Sequence, residues 1–136
     1  MIKPRKTGRR PADTEADAME RAAAYLPLGP VAFEVMLSLA GGAQHGYAIL
    51  RDIEARTGGE VSLHAGTLYR ALFRLVEQEL VEELEERPSA EADDARRRYY
   101  GMTALGRQVA AAEAKRLANR VATARDRKLL RQPRSV

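Results

Sequence analysis

Leu28, Val31, Ala32, Val35, Met36 and Leu39 recur at the i, i+3, i+4, i+7 spacing of one buried helical face. Gly41 and Gly42 end that run. A second helix is predicted from about His45 to Arg56, with Gly46, Ile49, Leu50 and Ile53 on its inner side and Gly58-Gly59 as its stop. The third run, "GTLYRALFRLVEQ", sets Leu68, Ala71, Leu72, Leu75 and Val76 on one face. Thr67, Arg70, Arg74 and Gln78 fall on the other, so this helix has a basic, hydrogen-bonding outer stripe. Periodicity alone favours a solvated face. Upstream, "DTEADAMERAAAYL" predicts a short helix within 13–26, with Asp13 as its N-cap and Pro27, Gly29 and Pro30 as breakers. Between helices two and three, "EVSL" is long enough only for an extended connector or a single strand.

The pattern after the third helix is less regular. "LVEELEER" is rich in helix formers, and local propensity would let helix three continue through it. "PSAEADDA" is a loop, and "RRRYYGM" reads as a strand, with Arg98, Tyr100 and Met102 on one face. Two extended segments about a polar loop make a hairpin. Thr103 is the expected N-cap of a last helix running from about Ala104 to Leu130, roughly 40 Å long at 1.5 Å per residue. Its apolar stripe is Leu105, Val109, Ala110, Ala114, Leu117, Val121 and Ala124. The outer part, Ala114, Leu117, Val121 and Ala124, is expected to face a second subunit, because the helix is longer than so small a core can cover.

Composition narrows the function classes. The 136 residues fit one domain and contain no cysteine or tryptophan, which excludes disulfides and thiolate metal sites. With two histidines and no glycine-rich phosphate loop, neither an enzyme nor a metal sensor is indicated, and no cofactor is implied. No apolar run reaches the roughly 20 residues of a membrane span, and the basic start lacks the apolar core of a secretory signal. A cytoplasmic protein is expected. The net charge is +4 with an isoelectric point near 9.7. The two ends are basic: Lys3, Arg5, Lys6, Arg9 and Arg10 in a disordered basic arm over 1–12, and again from Lys115 to Arg134, with a disordered tail over 132–136. Glu77 to Asp94 is acidic. A basic protein of this kind suits nucleic acid as a partner.

The order helix, helix, helix, hairpin, helix is that of a winged helix-turn-helix over 28–103 followed by a long C-terminal dimerisation helix over 104–131: a mainly α protein with a small β-hairpin. The runs "HGYAILRDIEARTGG", "GTLYRALFRL" and "RRRYYGMTALGRQV" together resemble the PadR-like family of bacterial transcriptional regulators, over about Leu28 to Leu130. The resemblance implies a homodimer that binds an operator in double-stranded DNA, most simply as a repressor blocking polymerase. Helix three would be the recognition helix and Leu80 to Met102 the wing. The matching positions are His45, Gly46 and Tyr47; Gly66, Thr67, Leu68 and Tyr69; and Arg97, Arg98, Tyr99, Tyr100 and Thr103. The chain departs from the family in carrying Glu79 where many relatives have a glycine, and His64-Ala65 where proline is frequent. Without tryptophan, the stacking of flat aromatic drugs seen in some relatives cannot operate, and the identity of any small-molecule effector is left open.

By this reading Thr67, Arg70 and Arg74 enter the major groove, where arginine pairs bidentately with guanine. Tyr69 reaches a phosphate or a thymine methyl, Tyr47 is a further DNA-binding candidate, and His64 either touches a phosphate or is simply a loop residue. Arg96, Arg97 and Arg98 hold phosphates from the returning strand. Tyr100 packs inward, and Tyr99 divides between packing and a phosphate. His45 caps or orients helix two. Glu91, Asp93 and Asp94 are expected at an outward wing tip or as screens for the arginines. The competing class is a helical dimer that binds another protein through the same basic stripe, without sequence-specific DNA binding.

Overall fold

The computed structural model describes residues 14–84 and 98–131. The basic arm, Asp13, the acidic loop with Glu91, Asp93 and Asp94, Arg96, Arg97 and the tail lie outside them. Five helices and three short strands follow in the order α1 (Glu15–Ala23), α2 (Pro30–Ala40), β1 (Gln44–His45), α3 (Gly46–Arg56), α4 (Ala65–Glu77), β2 (Val81–Leu84), β3 (Tyr99–Met102) and α5 (Ala104–Asp126).

α1 starts at Thr14, whose hydroxyl accepts from the Asp17 N–H while the Asp17 carboxylate accepts from the Thr14 N–H. This reciprocal pair satisfies two N–H groups that would otherwise lack partners. The cap is therefore one residue later than the composition suggested. α2 has proline at its first turn, where no N–H is needed, and carries one charged residue. It lies at the centre of the molecule, against α3, α4, α5 and β3. Val35, Met36 and Leu39 of α2 join Ile49, Ile53, Leu68, Leu72, Leu75, Leu80, Val81, Tyr100 and Val109 in one core. The inner faces of α2, α3 and α4 predicted from helical spacing are the faces that are buried.

The sheet is three-stranded and antiparallel, in the order β1-β3-β2. The expected hairpin is present, with Val81 opposite Met102 and Leu84 opposite Tyr99. β1 is an addition: Gln44 pairs with Tyr100 and His45 with Tyr99. "EVSL" forms no strand. A two-residue strand has too few positions for alternation to show, and its partner is more than fifty residues away in sequence. Adjacent strand residues point to opposite faces, yet both tyrosines are buried. Tyr100 enters the core, while the Tyr99 ring meets His45 edge-on at 5.5 Å between centroids.

Helix ends account for the other departures from sequence expectation. α4 stops at Gln78, not beyond it, because Glu79 adopts φ 66°. The Glu79 N–H then bonds to the Val76 carbonyl at 2.9 Å and the Leu80 N–H to the Leu75 carbonyl at 3.0 Å. That is the pattern a glycine usually makes; here a glutamate occupies the left-handed position. α5 ends in the same way, at Arg127 and several residues short of Leu130, with Lys128 at φ 67° and the Leu129 N–H bonded to the Ala124 carbonyl at 2.8 Å.

Candidate nucleic-acid interface

α4 is buried along Leu68, Leu72 and Leu75 and held by α2, α3 and β2. Successive residues on a helix turn by about 100°, so the side opposite that buried line centres on Gly66, Arg70, Phe73 and Glu77. Arg70, Phe73 and Arg74 are exposed there. Thr67, assigned from spacing to the outer stripe, is half-buried at its flank, where its hydroxyl accepts a hydrogen bond from Arg70 at 3.4 Å. Phe73, which helical spacing does not single out, is 66% exposed on this side. Its position beside Arg70 and Arg74 on the wheel was the available signal, but an aromatic residue within a helical run is more readily assigned to a core.

The N-terminus of α4 is open. His64 is the N-cap residue but its side chain makes no capping hydrogen bond, and the first turn holds no acid. Its leading N–H groups and the positive end of the helix dipole favour an anion.

Contacts between the sequence motifs shape the surface around α4. A Cβ on Gly46 would lie 2.2 Å from the Tyr69 hydroxyl oxygen. The glycine of "HGY" is thus the space into which the tyrosine of "GTLY" reaches, and the end of the Tyr69 side chain is directed at the start of α3. His45 caps α3, its Nδ1 accepting from the Ala48 N–H at 3.2 Å, as expected. Tyr47, 52% exposed, lies stacked 6.5 Å from His45, and the Arg51 guanidinium sits over its ring at 5.5 Å. Thr103 joins α4, wing and α5. Its N–H donates to the Leu80 carbonyl at 3.1 Å and its hydroxyl donates to the Glu79 carbonyl at 2.7 Å while accepting from the Gly106 N–H at 2.9 Å. A Cβ on Gly106 would be 2.0 Å from the Leu80 carbonyl oxygen, so only glycine lets α5 approach this closely.

Arg98, just before β3 at the loop end of the hairpin, is exposed and forms an ion pair with Glu83 of β2. The sequence placed the screening acids in the loop; the described partner is on β2. The Glu83 carboxylate holds the Arg98 guanidinium in its charged form. Tyr99 is given mainly to packing. Burial pushes the Tyr100 phenol above the ordinary tyrosine range.

Two polar clusters brace this surface from behind. Ser38 on α2 donates to Asp52 on α3 at 2.7 Å, and Arg56 bonds Asp52, Glu34 and Ser38. Hydrogen bonds from Arg56 and Ser38 hold the Asp52 carboxyl below the usual carboxylate range. On α5 the buried residue at the expected position of a small apolar stripe is Glu113, 2% exposed. Its carboxylate takes two bonds from Arg116, at 2.7 and 2.9 Å, and one from the Leu28 N–H at 3.4 Å. The Arg116 bonds are the main cause of its lowered pKa, against the opposing effect of burial. The side of α5 facing the body is therefore Leu105, Val109, Ala112 and Glu113. Ala114, Leu117 and Val121 are exposed on another side, and Ala124 is half-buried near the C-terminal turn.

A helix held against two others and presented beside an antiparallel wing defines a winged helix-turn-helix protein. The chain belongs to the PadR-like family of transcriptional regulators, whose model matches residues 35–112, more than half of it. Solved structures agree on the fold. It is similar to a PadR family transcription regulator from Clostridium difficile R20291, at 23% identity and a TM-score of 0.58 over 75% of this chain and 100% of that one. It is similar also to RosR of H. salinarum, at 23% identity and a TM-score of 0.55 over 78% and 99%. A transcriptional regulator from Clostridium thermocellum matches at 21% identity and a TM-score of 0.56 over 76% and 92%. No curated protein matches the sequence. The family is one of regulators, not enzymes. Among the described residues, no helix is long and apolar enough to cross a membrane.

Proposed function

We propose that this protein is a sequence-specific DNA-binding repressor that acts as a homodimer on an inverted-repeat operator. The observation that carries this reading is the outer face of α4: Arg70 and Arg74 exposed on a rigidly held helix whose N-terminus is uncapped and free of acids. Such a face suits the major groove, with the arginines at base edges and the open N-terminus toward a phosphate. Thr67, His64, Tyr69 and Tyr47 border it. Arg98 lies on the wing, and its contact with phosphate requires exchange from Glu83. Arg96 and Arg97 precede it in sequence and lie outside the described residues.

The dimer is supported by α5. Leu117 is 36% and Val121 39% exposed, one turn apart on a face that the described residues do not cover. Ala114 on the same side lets a second helix approach closely. A dimer over a promoter excludes polymerase, which makes repression the natural outcome.

The test is selection from a random duplex library followed by alanine substitution at Arg70 and Arg74. One of them, when replaced, should lose about 1–3 kcal/mol on the selected site and relax the choice at one base pair per half-site. Binding that is blind to sequence and governed by salt alone would favour the protein-interaction reading of the same basic stripe.

A further inference from the structure

Phe73 is more exposed than any other aromatic side chain among the described residues, at 66%, yet it lies in the middle of a helix whose inner face is fully packed. It sits one turn beyond Tyr69 and Arg70, next to Arg74 and one turn before the exposed Glu77, so two cations and one anion border it on α4. A ring exposed among Arg70, Arg74 and Glu77 does not fit an apolar protein groove, which would leave the neighbouring charges desolvated. It does fit an anionic surface with an isolated apolar spot. The major groove is such a surface, and the apolar group it displays is the C5-methyl of thymine. Tyr69, the other aromatic residue on this side of α4, has its hydroxyl end occupied against Gly46, which leaves Phe73 as the ring available for that contact.

We propose that Phe73 reads a thymine methyl in each half-site, and so makes this chain selective for an A·T pair beside the base pair addressed by Arg70. The proposal rests on the DNA-binding reading above. Three helical residues rise about 4.5 Å and one base step about 3.4 Å, so the thymine should lie one or two base pairs from the position at which Arg70→Ala relaxes choice.

The experiment uses the full chain and the duplex selected from the random library. Each thymine is replaced in turn by deoxyuridine, which removes the methyl and leaves base pairing intact, and affinity is read by fluorescence anisotropy at constant salt. One thymine per half-site should be sensitive, with a loss of about fourfold, the size expected for one buried methyl group. Phe73→Ala should bind the thymine and deoxyuridine duplexes equally, and Phe73→Leu should keep part of the preference. Circular dichroism confirms that the variants fold. The deoxyuridine series on the unaltered protein needs no variant at all. If a site is selected but no deoxyuridine substitution weakens binding, or if Phe73→Ala shows the same loss, Phe73 does not read a methyl and the DNA-binding reading stands. If no sequence is selected, the DNA-binding reading itself fails, and this proposal with it.

Discussion

Gly46→Ala tests whether the contact between α3 and α4 is what the two motifs encode. The added carbon would lie 2.2 Å from the Tyr69 hydroxyl oxygen and 2.6 Å from the ring carbon bearing it. Tyr69 is 43% exposed, so its ring can swing outward and the protein need not unfold. Overpacking of this kind costs about 1–3 kcal/mol, while alanine in place of glycine at a helical position returns up to about 1 kcal/mol, for a net loss of roughly 1–2 kcal/mol. With Tyr69→Ala in the background the obstacle is gone, and the same substitution should become neutral or stabilising by up to about 1 kcal/mol. The sign change is the signature, and it corresponds to a coupling of roughly 1–3 kcal/mol between the two positions. Urea unfolding of the four proteins at one fixed concentration measures it. Gly106→Ala provides the contrast: its carbon would meet the Leu80 carbonyl at 2.0 Å, and main chain cannot swing aside. An equal loss for Gly46→Ala with and without the tyrosine would refute the reasoning.

Three further outcomes follow from the described geometry. Glu79→Gly removes the side chain from a left-handed position that costs roughly 1–2 kcal/mol, offset in part by the greater freedom of unfolded glycine, so the melting temperature should rise by the equivalent of about 0.5–1 kcal/mol. Glu113 has a lowered pKa in the folded state, so its contribution is present above the ordinary carboxylate range and is lost as pH falls through the folded value. Glu113→Gln should therefore lower stability at neutral pH and flatten its decline toward acid; an unchanged slope in pH-dependent unfolding would mean that the Arg116 bonds contribute nothing. Leu117→Asp places a charge on the exposed α5 face, and sedimentation should show a dimer for the parent and a monomer for the variant.

The buried faces of α2, α3 and α4, and the first turns of α5, were legible along the chain because helical spacing is a local property: the residues that share a face are three or four apart. His45 and Thr103 as caps were legible for the same reason, since each bonds an N–H three residues ahead. The family resemblance was carried by "HGY", "GTLY" and "RRYYGMT", and the structure gives the physical cause. Gly46 receives Tyr69, His45 packs on Tyr99, and Thr103 binds the end of α4, so residues scattered over nearly sixty positions form one connected joint.

Only the tertiary structure decided the rest. β1 exists because β3 offers it an edge, and two residues cannot announce a strand by themselves. The ends of α4 and α5 are set by Glu79 and Lys128 in a conformation that their side chains disfavour. Composition could not show this, because glycine is the residue that normally marks such a stop. Glu113 stands among alanines at helical spacing, and its burial follows from Arg116 and the Leu28 N–H arriving together at that point. Phe73 shows the converse: an apolar residue in an amphipathic run that stays in solvent because Leu68, Leu72 and Leu75 already fill the inner face. Which side chains a helix can bury is written in its own spacing, but which of them it does bury depends on what the distant parts of the chain bring against it.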